Sequence, residues 1–104
     1  MKILPDPISF AWNKGNIDKN LKKHNVTNKK AEEVFENKPI FIFEDEKHSK
    51  SEKRYMLWGV TDQKRKLSIF FTIRNNRVRI ISARDMHKKE RGAYEEKIKT
   101  DTKI

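Results

Sequence analysis

Leu67-Ser68-Ile69-Phe70-Phe71-Thr72-Ile73-Arg74-Asn75-Asn76-Arg77-Val78-Arg79-Ile80-Ile81-Ser82-Ala83-Arg84 reads as a β-hairpin. Its flanks are rich in β-branched and aromatic residues, and two adjacent asparagines suit a two-residue turn with positive φ at both positions. Such a turn sets Arg74 opposite Arg77, then Ile73 with Val78, Thr72 with Arg79, Phe71 with Ile80 and Phe70 with Ile81. Directly opposed residues share a face of the sheet. One face therefore collects Leu67, Ile69, Phe71, Ile73, Val78 and Ile80, a core side. The other collects Ser68, Phe70, Thr72, Arg74, Arg77, Arg79 and Ile81. Strict alternation also sends Ala83 to the arginine face, and Ser82 with Arg84 to the core side.

Outward from the hairpin, Tyr55 to Thr61 and Ile40 to Phe43 read as two further strands. If 62–65 form a four-residue loop, Tyr55 falls beside Thr72 and Lys53 beside Arg74. A slip of one residue would reverse that assignment, since it exchanges the two faces. Glu44 to Lys53 is a charged loop. Upstream, Ile8 to Trp12 alternates and suits a short strand, and Asn13 can cap a helix over 14–24 despite Gly15. In that helix Ile17 and Leu21 lie four apart on one face, with lysines around the rest. Thr27 can cap a second helix over 28–37 that carries Ala31, Val34 and Phe35, and Pro39 closes it. Asp85 can cap a last helix running to about 97, with Met86, Tyr94 and Ile98 toward the core. The expectation is one α+β domain over 1–104, a four-stranded antiparallel sheet with two N-terminal helices and one C-terminal helix. Its core spans about 8–97, with 1–7 and 99–104 flexible.

The 104-residue chain carries a net charge of +10, unevenly placed. Residues 13–30 hold six lysines against one aspartate, and 74–104 hold ten Lys or Arg against five acids, while 1–12 and 31–73 are neutral. Two basic blocks around a neutral middle favour an anionic partner. The chain has no cysteine, which excludes disulfides and thiolate metal sites. Neither a signal peptide nor a membrane span is evident, so a cytoplasmic location is expected.

Phe10-Ala11-Trp12-Asn13, Asn20 with Lys23-His24-Asn25-Val26, Ala31-Glu32-Glu33-Val34-Phe35, Glu44-Asp45 with His48, Glu52 with Arg54-Tyr55, Thr72 with Arg74, Arg79 to Arg84, and Glu90-Arg91 with Tyr94-Glu95 form an ordered set. In this set the chain resembles the BrnT family of bacterial toxins. It departs from the family pattern at Asn13, Asn25 and Asn28, where Asp, Gly and Phe are usual. The resemblance implies a RelE-like fold and an endoribonuclease of a type II toxin–antitoxin pair that inhibits translation. It further implies a DNA-binding antitoxin of the BrnA type, in a higher-order complex that represses its own operon.

Metal-independent RNA cleavage needs a base for the ribose 2′-hydroxyl, cations on the phosphorane and an acid for the 5′-oxygen. Arg54, Arg74, Arg79 and Arg84 suit the cationic role, because a guanidinium binds two phosphate oxygens and stays charged. His48, in the charged loop ahead of Arg54, is the leading acid/base candidate, and Glu52 is a possible base, or a partner for Arg54. The candidate catalytic set is His48, Glu52, Arg54 and Arg79, with Lys53, Tyr55, Thr72, Arg74, Arg77 and Arg84 binding substrate. The order of acid and base among His48, Glu52 and Tyr55 stays open. No metal ligand spacing is found and no cofactor is expected. Two rival readings are a non-catalytic basic RNA- or DNA-binding module using the same face, and an assembly subunit with no nucleic-acid role.

Overall fold

The structure is a computed structural model and describes residues 3–102. Four strands pair antiparallel in chain order: β1 (Phe41–Glu44), β2 (Tyr55–Val60), β3 (Lys66–Arg74) and β4 (Arg77–Asp85). Helix α2 (Asn28–Glu36) covers one face, α1 (Lys19–His24) lies against β4, and α3 (Lys88–Thr102) packs on the other face. The first face is the larger core, in which Phe35 of α2 meets Phe71 edge-on, with Leu57, Ile69, Val78 and Ile80 fully buried. On the second face Tyr94 and Met86 pack with Trp58, and the Tyr94 hydroxyl donates to the Pro39 carbonyl at 2.9 Å.

The hairpin turn forms as expected, with Asn75 and Asn76 at φ 51° and 60°. Pairing follows the expected register from Arg74–Arg77 through Phe71–Ile80, then breaks at a β-bulge, so that Phe70 faces Ser82 rather than Ile81. Unbroken alternation would have driven Arg84 into the core beside Ile80. The extra residue reverses the phase, burying Ala83 and returning Ser82 and Arg84 to the Thr72 face.

A second difference lies between β2 and β3. Tyr55 pairs with Phe71, one residue away from the expected Thr72, because the connection takes five residues. Thr61 leaves the strand to bond Arg65 and Lys64, and Lys64 adopts φ 70°. Tyr55 is thereby turned onto the helix-covered face, stacked 5.4 Å from Phe71.

The N-terminal segment does not form a strand at 8–12. It makes a single parallel bridge, Phe10 to Val78, along the outer edge of β4. Helix α1 starts at Lys19 rather than 14, because the Asn13 side chain accepts from the Gly15 N–H and Asp18 takes φ 57°. Asn25, where the family pattern has Gly, ends α1 at φ 54°, a left-handed position glycine favours. Arg65 clamps this end, donating to the His24 and Asn25 carbonyls and, at 2.7 and 3.1 Å, to the Asp85 carboxylate. Asp85 is thus the last residue of β4 and not a helix cap. At α3 the Glu90 carboxylate instead accepts from the His87 N–H, as in half a capping box. The helix then continues beyond the expected end near 97 to Thr102, while 1–2 and 103–104 lie outside the described residues. Thr27 caps α2 as expected, accepting from the Lys30 N–H at 3.1 Å.

Gly59 marks where α2 meets the sheet. A Cβ there would lie 2.6 Å from Val34 Cγ1 and 3.1 Å from Ile40 Cγ2, both on stiff β-branched side chains. Gly59→Ala is expected to lower stability by about 1–3 kcal/mol through overpacking, read as a reduced midpoint in urea with an unchanged slope.

Candidate nucleic-acid interface

Because α3 covers only the Trp58 end of the second face, the end near the hairpin turn stays open. The observed register decides which side chains stand there. Glu52 replaces the expected Lys53 beside Arg74, and Arg54 replaces Tyr55 beside Thr72. Lys53 points elsewhere, largely exposed and 4.0 Å from Glu44. Arg74, Arg77 and Arg79 border a cleft of about 560 Å³ that Ala11, Asn13 and Asn75 complete.

Two of the candidate arginines are held in two-pronged ion pairs. Arg74 makes a fork to Glu52 at 2.7 and 3.0 Å, and Arg84 makes one to Glu90 at 2.8 and 3.1 Å. The Arg74 guanidinium holds the Glu52 carboxyl below its ordinary range against the opposing effect of burial, and the Arg79 charge adds to it. Glu52 thus pairs with Arg74 rather than Arg54, and a carboxylate so stabilised is a weak base.

Arg54 and Arg84 stand over the Phe70 ring at 5.1 and 5.5 Å, so one aromatic side chain spaces two cations. Arg77 is exposed at the rim of the cleft, and neither its side chain nor that of Arg79 has a hydrogen-bond or ion-pair partner among the described residues.

The informative row crosses the sheet one step below the rim: Asp45, Arg54, Thr72, Arg79. Asp45 and Arg54 are joined through the backbone at 2.7 Å, and Thr72 pairs with Arg79. Ser49 braces the turn, donating to the Asp45 carbonyl and accepting from the Arg54 N–H. Among the described residues five buried side-chain nitrogen or oxygen atoms lack a hydrogen-bond partner, and three of them are Arg54 Nε, Thr72 Oγ1 and Arg79 Nε. Arg54 Nε does lie 3.4 Å from Asp45 Oδ2, an ion pair without hydrogen-bond geometry. Unsatisfied polar atoms are costly to bury, and three of the five fall in this one row.

His48 sits at the end of this row, on a 3₁₀ turn (Glu46–His48), with its ring half-exposed. Its Nδ1 lies 3.0 and 3.1 Å from the two Asp45 oxygens. A carboxylate only accepts, so Nδ1 carries the proton and Nε2 is the nitrogen left for other chemistry. Asp45 therefore joins His48 to Arg54, a link that sequence reasoning did not identify.

Gly15 was also missed, although a glycine inside a helical pattern was its signal. A Cβ at Gly15 would stand 3.0 Å from Arg79 Nη2, so the bare backbone admits the guanidinium. Among the described residues no three His, Asp or Glu side chains group as metal ligands, and no helix is long and apolar enough to cross a membrane.

A basic α+β domain with an open arginine cleft defines a class of protein that handles polyanions. Residues 12–90 match the family model described as ribonuclease toxin, BrnT, of type II toxin-antitoxin systems, and the chain belongs to that family. A search of curated proteins finds no match.

Glu90 anchors the closed end of the interface. Burial pushes its carboxyl up, but Arg84, the His87 N–H and the Ser68 hydroxyl together outweigh this and hold it at about 2, against an ordinary 4.5. A carboxyl with a lowered folded value stabilises in full above its unfolded value and loses that contribution as pH falls through 4.5 toward 2. Glu90→Gln should thus melt lower than wild type at pH 7, with the gap in Tm narrowing below about pH 4.5 when thermal unfolding is followed against pH.

Proposed function

We propose that the chain is a metal-independent endoribonuclease toxin that stops translation by cutting RNA, and that the Arg54–Thr72–Arg79 row seats the scissile phosphate. The concentration in that row of buried polar atoms without a hydrogen bond carries this reading. Arg79 and Arg54 supply N–H donors to the non-bridging oxygens from either side, and Thr72 Oγ1 donates between them. Arg77 and Arg74 contact the neighbouring phosphate at the cleft. Charge that builds on the phosphorane is thus met by fixed donors that need no reorganisation.

In the reaction the ribose 2′-hydroxyl loses its proton, its oxygen bonds to phosphorus, and the bond to the 5′-oxygen breaks as that oxygen takes up a proton. The products are a 2′,3′-cyclic phosphate and a 5′-hydroxyl. Of the three proton-transfer candidates, Tyr55 lies on the other face and Glu52 is bound to Arg74. His48 is left, with Asp45 fixing its tautomer, and we assign it the proton transfer. The partner is a DNA-binding antitoxin of the BrnA type in a higher-order, operon-repressing complex, and the toxin acts in the cytoplasm.

RNA incubated with the purified chain is the test. Wild type should fragment it, and Arg79→Ala should cut about 10²–10³-fold more slowly, the usual loss for one transition-state donor. The Tm should be unchanged, since Arg79 Nε has no hydrogen bond to lose among the described residues. RNA left intact by wild type, yet bound with a steep salt dependence, would establish the binding-module reading instead.

A further inference from the structure

Helix α1 is inverted. Its buried positions are asparagines, with Asn16 just ahead of it 1% exposed and Asn20 3% exposed, while Ile17 and Leu21 are 46% and 41% exposed. These are the two large apolar side chains that stand exposed among the described residues. The inversion has a structural cause on its inner side. Asn16 donates to the Ala11 and Ile80 carbonyls at 3.0 and 3.1 Å, and Asn20 accepts from the Ala83 N–H at 3.0 Å. The asparagines thus complete the outer edge of β4. Nothing on the inner side requires the outward residues to be apolar; lysine or glutamate would serve there as well.

Ile17 lies in a groove of about 460 Å³ with Lys14, Gly15, Asp18, Lys19 and Lys22. Leu21 stands exposed four residues further on, within α1. An isoleucine in a groove bordered by three lysines, with an exposed leucine four residues on, fits an amphipathic segment with the opposite charge, aliphatic on one edge and acidic on its flanks. The net charge of the surrounding block, six lysines against one aspartate over 13–30, disfavours a second copy of this chain at the same place.

We propose that this α1 groove is the docking site for an acidic amphipathic segment of the antitoxin that the family assignment requires. The position also accounts for inhibition. Gly15 lines the groove and abuts Arg79 Nη2, and Asn13, two residues earlier, lines the arginine cleft. Groove and cleft share this turn as a wall, so carboxylates of a segment seated on the lysines fall beside the guanidinium that would otherwise receive RNA. The inhibitory effect rests on the nuclease reading; the docking site does not.

The test is calorimetric titration of the purified chain with its cognate antitoxin, for wild type, Ile17→Ser/Leu21→Ser and Lys14→Glu/Lys22→Glu. Each double variant is expected to bind about tenfold more weakly or worse, as when a central anchor is removed. The lysine pair should also flatten the salt dependence of binding. All four side chains are exposed, so melting should not change, and RNA cutting by the free Ile17→Ser/Leu21→Ser protein should equal wild type. Unchanged antitoxin affinity in both variants overturns the proposal. So does a wild-type dimer, seen by sedimentation, that Leu21→Ser dissociates, because the groove would then belong to a second copy. Binding is measured without RNA, so a chain that binds antitoxin through this groove but leaves RNA intact would refute only the nuclease reading.

Discussion

The pairing of β3 with β4, and the single bulge within it, governs where charge can go. Above the bulge the register places Arg77 and Arg79 opposite Arg74 and Thr72; below it, the added residue lets Arg84 rejoin their face while Ala83 enters the core. A bulge weakens the ladder locally, yet the alternative is a guanidinium among Val78 and Ile80, which costs far more. One irregularity thus keeps the core apolar and assembles a continuous cationic surface. The same surface is then divided: α3 lands on the Trp58 end and brings Glu90 to Arg84, while the turn end stays open.

That division sorts the arginines by task. Arg65 and Arg84 are consumed by carboxylates and carbonyls and act as clamps, one for the end of α1 and one for the start of α3. Arg74 is held by Glu52, which fixes its fork in space and offsets part of the repulsion from Arg77. Arg79 is the exception. It is partly buried, its Nε has no hydrogen-bond partner among the described residues, it lies against a glycine, and its charge acts on Glu52 without a direct bond.

Much of this was legible in the residues. The Asn75-Asn76 turn fixed Arg74, Thr72, Arg77 and Arg79 on one face, because turn chemistry and alternation are both local. The four-strand order and the helix carrying Val34 and Phe35 followed from periodicity. What failed depended on nonlocal geometry. The one-residue slip of β2 turns on whether Thr61 stays in the strand, a choice made by Lys64 and Arg65 in the loop, and it exchanged Lys53 and Tyr55 for Glu52 and Arg54. The bulge could have been suspected, since strict alternation buries Arg84. Asp85 carried a cap signal, but Arg65 claims its carboxylate across the sheet.

The inverted α1 shows why pattern reading has a blind side. Apolar residues four apart normally mark the face a helix buries, but here Ile17 falls in the turn ahead of α1 and both it and Leu21 stand exposed. The exception arises because an edge strand has unpaired backbone groups, and an asparagine amide satisfies them where a leucine cannot. Once Asn16 and Asn20 are committed to β4, geometry puts Ile17 and Leu21 outward. Their apolar character then adds nothing to the core. The turn that presents them also walls the Arg79 cleft, so the demand for edge closure, the exposed pair and the open guanidinium are three consequences of the same short segment.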